Sequence, residues 1–344
     1  GPFNGAGSSR TGVAGCYLSS GQTLRQAFLA GDPIGAFAGD PIRGGPCVNL
    51  GVFQNGTVIP KSTEGQGFTH RLNLTWKPVD DILFYGTWSR GFRPGGINRR
   101  ADVAPYAPDF LVNFEFGWKT TLAPGLRFNG AVYQQNWKSF QFSYLGANSF
   151  TEIHNGPDAR IRGVEADISY TGGGLSLTAA ASYTDAKTRQ NLCSIDEPTF
   201  TCADTGNGNF IAAPAGTRLP ITPKFKASGN ARYTFPMGDW TSHVQGLVTY
   251  QSSASSDIRT AVAQVFSGNI INPANLLGRL KGFASVSLSA GIESGGLSFD
   301  AFVDNLFDER GQLTRTQQCG SCFQRNYIVT TAPRTIGLRA GYRF

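Results

Sequence analysis

What most constrains this chain is a two-residue alternation of side-chain character that recurs from about residue 68 to the last residue. Phe110, Val112, Phe114, Phe116 and Trp118 form an apolar file opposite Asn113, Glu115, Gly117 and Lys119. Val164, Ala166, Ile168 and Tyr170 stand in the same way against Glu165, Asp167 and Ser169, and Ile336, Leu338, Ala340, Tyr342 and Phe344 against Thr335, Arg339 and Arg343. Period two is the signature of a β-strand, whose successive side chains point to opposite faces. Eleven such segments are read, at about 68–77, 82–90, 110–121, 126–145, 160–171, 175–184, 224–235, 240–252, 281–293, 297–305 and 333–344. No stretch approaches the roughly 18 apolar residues of a helical membrane span.

Alternation alone does not separate a soluble sandwich from a membrane barrel, but the connections do. Five are tight and built of turn formers: Pro78 to Asp81, Leu122 to Gly125, Gly172 to Gly174, Pro236 to Asp239 and Ser294 to Gly296. The others are long, at about 91–109, 146–159, 185–223, 253–280 and 307–332. Short and long alternate strictly, which puts every tight turn at one end of the strands and every long loop at the other. That is the plan of a transmembrane antiparallel up-and-down β-barrel, with periplasmic turns and extracellular loops. The composition agrees: 44 glycines, 25 Phe, 11 Tyr and 5 Trp in 344 residues, with only 15% charged. Trp76, Trp118 and Trp240 lie beside the tight turns, with Tyr170, Phe235 and Phe344 near the same end, as an interfacial aromatic girdle requires.

Single-chain bacterial barrels usually close with an even number of strands. Eleven is odd, and the N-terminal stretch carries neither a charged n-region nor an apolar h-region. Residues 1–67 are therefore expected to be an extracellular loop segment, with a short hairpin signal at 48–59 around Asn55-Gly56. Residues 68–344 are expected to be the C-terminal half of a larger barrel.

At this point the residues resemble the C-terminal half of TonB-dependent outer-membrane receptors. The matching pieces are Tyr85-Gly-Thr-Trp-Ser-Arg-Gly-Phe-Arg-Pro-Gly-Gly96 at a strand top and Ile161-Arg-Gly-Val-Glu-Ala-Asp167 opening a strand. Val303-Asp-Asn-Leu-Phe-Asp-Glu309 precedes the final loop, and Pro333-Arg-Thr-Ile-Gly-Leu-Arg-Ala-Gly-Tyr-Arg-Phe344 ends on an aromatic residue. The resemblance covers about residues 68–344. It implies a barrel of about 22 strands filled by an N-terminal plug, which is not found in this sequence. It further implies a bacterial outer-membrane location and active uptake of a scarce nutrient, commonly an iron chelate, driven through TonB contacting the plug. Partners implied are outer-membrane lipid and lipopolysaccharide, the barrel-assembly machinery acting on the C-terminal Tyr342 and Phe344, and a small-molecule ligand. Iron would enter only as part of a transported chelate, and no resident cofactor is expected.

No enzymatic constellation is read. His70, His154 and His243 lack metal-ligand spacing, and Gly172-Gly-Gly174 is a turn with no Lys-Ser/Thr following. The net charge of +7 is not gathered into a nucleic-acid stripe. Part of it falls on the polar side of the strands, where Arg71, Glu115, Lys119, Glu165, Asp167, Arg232, Arg339 and Arg343 are expected to line water or grip a plug. A second group, Arg90, Arg93, Arg99 and Arg100, sits around the first long loop and suits either an anionic ligand or phosphates of the outer leaflet. Phe92, Tyr106, Trp137, Phe140, Phe142 and Tyr144 read either as an aromatic ligand wall at the mouth or as loop packing and an upper girdle. The six cysteines all fall in long loops or the N-terminal segment. An even count at an oxidising cell surface favours disulfides, Cys193 to Cys202 and Cys319 to Cys322 as local pairs and Cys16 to Cys47 by elimination. Cys319-Gly-Ser-Cys322 also reads as a redox or half-zinc motif.

Three other readings stay open at this level: a passive substrate-selective porin, a 12-stranded barrel acting as a surface enzyme or autotransporter translocator, and an adhesin barrel. The 12-stranded case requires Val48 to Ile59 to be a wall strand.

Overall fold

The period-two segments become strands, and each tight turn joins two of them. The structure, a computed structural model, describes residues 51–54, 57–98, 104–145, 151–195, 197–206, 208–263, 270–271, 277–317 and 326–344. Eleven long strands form one sheet: β1 His70–Val79, β2 Ile82–Arg93, β3 Asp109–Ala123, β4 Leu126–Lys138, β5 Ala159–Gly172 and β6 Leu175–Thr188. The sheet continues through β7 Phe225–Met237, β8 Trp240–Gln251, β9 Phe283–Ser294, β10 Leu297–Asp304 and β11 Thr335–Tyr342. Its spatial order is the sequence order, every pair is antiparallel, and among the described residues β1 and β11 have one neighbour each. The described residues contain no helix.

Register keeps the two faces apart across the whole sheet. Phe116 pairs with Val132, Val132 with Val164, Val164 with Tyr183 and Tyr183 with Phe225, so one apolar row crosses from β3 to β7. One residue along, Glu115 pairs with Tyr133, Tyr133 with Gly163, and Asn129 with both Lys119 and Asp167 on the opposite, polar face. Among the described residues nothing covers the apolar face: Leu74 is 78% exposed and Leu338 86% exposed. A sandwich would bury those side chains against a second sheet, whereas the cluster of buried apolar residues lies at the long-loop end, around Phe140, Ala159, Leu192, Ala213 and Leu219. An uncovered apolar belt with aromatic borders is the surface a bilayer solvates. Near the tight turns, Trp76 stacks on Phe84, Trp118 meets Phe128, and Trp240 meets Phe299. Near the long loops, Phe92 stacks on Phe110.

One expected strand is corrected. The segment read as a single strand over 126–145 ends at Lys138. Ser139 takes a left-handed φ of 50°, and its N–H donates to the Asp158 carboxylate at 3.1 Å. The chain leaves the sheet there, and Gln141–Leu145 pairs instead with Thr151–Asn155 as a hairpin above it. The 12-stranded alternative is also not supported. Gly51–Gln54 and Thr57–Pro60 pair with each other as a separate two-stranded sheet and not with the wall.

Candidate functional site

The long-loop end is where the chain leaves regular structure, and its polar side chains satisfy one another there. Asp109, the first residue of β3, is 2% exposed. Its carboxylate accepts from Arg93 Nε at 3.1 Å, Trp137 Nε1 at 2.9 Å and the backbone N–H of Gln141 at 3.0 Å. Arg93 Nη2 donates both to Asp109 and to the Gln141 carbonyl at 3.1 Å, and the guanidinium lies 5.2 Å from the Trp137 ring centroid. A buried carboxylate needs such partners, because removing it from water unpaired is costly. One residue thus ties the tops of β2, β3 and β4 to the hairpin that follows.

The neighbouring segments are stitched in the same way. Gly96 and Tyr106 exchange two backbone hydrogen bonds. Buried Asn98 donates to the carbonyls of Ala104 and Ile153 and accepts from the Ile153 N–H at 2.8 Å. Asn155 accepts from the Ala107 N–H at 2.7 Å. Farther round, Cys193 and Cys202 form a disulfide. Within that loop Glu197 accepts from the Cys202 N–H and from the hydroxyls of Thr201 and Thr199, which holds its carboxyl below the ordinary carboxylate range. The two sulfurs near Glu197 are bonded to each other and are not free thiolate ligands.

Below the loops, the polar face is hollow. A concavity of about 680 Å³ is lined by Tyr85, Lys119, Asn129, Glu165, Asp167 and Lys226 among others. A smaller one of about 400 Å³ lies between Glu115, Tyr133, Glu165 and the underside of Leu219. Residues from β2 to β9 share the larger hollow, so the sheet curves with its polar face inward. Tyr85 Oη donates to Glu115 at 2.8 Å, and Asn129 Nδ2 donates to Asp167 at 2.9 Å. Arg232 Nη1 reaches Gln245 at 3.2 Å. Arg339 pairs in register with Asp300 and lies 5.8 Å from the Phe302 ring centroid, while Arg71 pairs with Ser89. Arg343 follows β11 and donates its backbone N–H to the Gly296 carbonyl.

The described residues among those expected at the mouth are divided between several places. Arg90 and Phe92 register on the apolar face, where the Arg90 guanidinium sits 4.5 Å from the Phe110 centroid. Arg93 and Trp137 belong to the Asp109 lock. Phe140 is 3% exposed inside the loop core, with Phe142 packed against it. Tyr106 bridges to Gly96. The Tyr144 side chain, Arg99, Arg100, Cys16, Cys47, Cys319 and Cys322 lie outside the described residues. Tyr342 and Phe344 meet edge to face at 5.0 Å. Sequence reasoning missed Asp109, Asn98, Gln141 and Asn155. Only Asp109, which opens the clean alternating file of β3, carried any local mark.

The uncovered apolar belt, the inward polar face and the segregated turns define the wall of an outer-membrane-type β-barrel. A sequence profile for the family described as TonB dependent receptor-like, beta-barrel matches residues 49–306, and the chain belongs to that family. Its members reside in the bacterial outer membrane, which places this chain there; they are receptors and transporters, not enzymes. Among solved structures, the ferric yersiniabactin uptake receptor of Yersinia pestis is similar with a TM-score of 0.59 and 17% identity, over 80% of this chain and 37% of that one. The ferric-catecholate import receptor Fiu of E. coli K12 gives 0.56 and 16%, over 85% and 37%. The copper transporter OprC gives 0.52 and 20%, over 80% and 39%. The chain therefore spans little more than a third of the length of the structures it matches.

Proposed function

We propose that this chain supplies wall and extracellular loops to a receptor that captures a scarce nutrient outside the cell and imports it with energy delivered by TonB. An iron chelate is the favoured cargo. The observation that carries the reading is the interlocked loop layer, pinned by buried Asp109, above an inward polar hollow. Such a layer presents a fixed surface to a ligand while the wall beneath stays hydrated. Support for the cargo comes from similar structures described as a ferric yersiniabactin uptake receptor, a ferric preacinetobactin receptor and a ferric citrate transporter. The barrel itself does no chemistry in this proposal. TonB would act through a plug, shifting it between closed and permissive states, and Glu115, Glu165 and Asp167 would face that plug from the wall.

Uptake of radiolabelled ferric chelates by cells bearing the protein tests the reading. Saturable uptake is expected to disappear when TonB is deleted. Saturable uptake that persists without TonB contradicts the proposal and favours a passive channel.

A further inference from the structure

One row of the polar face brings a histidine and a carboxylate together across an intervening strand. Register aligns His243 of β8, Gly291 of β9, Asp300 of β10 and Arg339 of β11, near the tight-turn end of the wall. Gly291 is what lets His243 and Asp300 meet, because a Cβ there would run into both Asp300 Oδ1 and His243 Cε1. His243 Nε2 and Asp300 Oδ1 are 3.3 Å apart, and their side chains are 12% and 28% exposed. That separation is past the usual N–H···O span of about 2.7 to 3.2 Å. It matches the edge of a coordination tetrahedron, since two ligand atoms each about 2.0 to 2.1 Å from a zinc ion stand roughly 3.3 Å apart. The nearby cations are turned elsewhere. Arg232 Nη1 donates to Gln245 at 3.2 Å, and the Arg339 guanidinium lies 5.8 Å from the Phe302 ring centroid. Among the described residues, Asp300 makes no ion pair besides the one with His243. The next inward residue of β9, Glu293, is exposed and adds a second negative charge one step nearer the turn. Sequence spacing carries no sign of this pair, because its two members come from different strands.

We propose that His243 and Asp300 bind a divalent transition-metal ion on the inner wall, with Zn²⁺ as the ion that fits their spacing. An imidazole nitrogen beside a carboxylate oxygen is a donor pair suited to zinc and its neighbours, whereas the hard ions Ca²⁺ and Mg²⁺ take oxygen ligands. Two protein ligands leave the other coordination positions to water. The ion therefore exchanges with the interior of the barrel and is not locked in place as in a closed structural site. Its position near the tight turns makes the pair a stopping place for a metal ion on the periplasmic side of the wall. The inference rests on the register of the wall and not on the cargo or on TonB, so the uptake experiment above can fail while this one succeeds.

The test uses the complete receptor, purified in detergent without a histidine tag, with Zn²⁺ alone as probe and isothermal titration calorimetry as readout. His243→Gln is expected to bind Zn²⁺ at least about tenfold more weakly, since even residues that only support a metal ligand typically cost that much when changed. Gly291→Ala keeps both ligands and is expected to lose as much, because the added methyl group parts them. His70→Gln, on the outward face at the other end of the wall, is expected to bind as the unaltered protein does. An absence of Zn²⁺ binding by the unaltered protein, equal binding by His243→Gln, or an equal loss in His70→Gln overturns the site. Displacement of Zn²⁺ by about a hundredfold excess of Mg²⁺ overturns the assignment to a transition-metal ion and means diffuse attraction to carboxylates. Should Gly291→Ala fail to insert, Asp300→Asn is expected to lose about tenfold, and no loss in that variant overturns the proposal.

Discussion

Asp109 shows how one buried carboxylate organises the end of this molecule. Its oxygens satisfy Arg93, Trp137 and the Gln141 N–H at once, joining groups far apart in sequence. Replacing it with Ala leaves an indole N–H and a backbone N–H without their acceptor. The expected cost is roughly 2 to 4 kcal/mol, at the lower end because Arg93 remains half exposed to solvent. Hydrogen exchange should locate the effect: amides of residues 104–108, 139–145 and 151–155 exchange faster in Asp109→Ala, while those of β7 to β10 do not. Uniform acceleration would mean that Asp109 supports the wall and not the loops. At this scale the sequence was legible in part. Alternation told which face each strand residue occupies, so Arg71, Glu115, Lys119, Glu165, Asp167, Arg232 and Arg339 were assigned to the polar side from parity alone. The same parity places Arg90 and Phe92 outward, but their position beside a loop obscured it. Partners of Asp109 and Asn98 were illegible, because they come from segments brought together only by the fold.

At the scale of elements, the tight turns were the clearest signals, and their chemistry explains why. Gly125 closes the turn between β3 and β4 with a φ of 77°, and a Cβ there would meet the Thr171 carbonyl oxygen near the end of β5. That carbonyl belongs to the residue whose N–H donates to Gly125 at 2.9 Å. Gly125→Ala is therefore expected to cost about 1 to 3 kcal/mol, from a disfavoured backbone and a crowded neighbour together. Gly173, with a φ of 58° and open space around it, should tolerate Asn with little change. Urea titration in lipid bilayers would check both; equal stability of Gly125→Ala and the unaltered protein would remove the close approach as a constraint. Rings that continue past Lys138 hide the end of β4 in the sequence. The clue was present: Trp137 is on an odd position and Phe140, Phe142 and Tyr144 on even ones, a change of phase that an unbroken strand does not allow. Ser139 is where the phase changes.

At the scale of the whole molecule, two faces of one sheet meet two solvents. Leu177, Val248 and Leu288 point to one side, and Asp167, Thr178 and Asn230 to the other. The topology was legible because strict alternation of short and long connections admits a single arrangement, a meander with its turns on one side. The loop layer was not, since its order comes from long-range hydrogen bonds and a packed core without a period. The claim on which fold, placement and function all depend is that lipid, and not a second protein layer, covers the apolar face. Photolabelling of the membrane-embedded protein, with a phospholipid carrying a diazirine near its acyl terminus, tests it most directly. The account predicts adducts at outward residues such as Ile168, Leu177, Val248 and Leu288, and none at Asp167, Thr178 or Asn230. Adducts on both faces, or none on the apolar face, would contradict it.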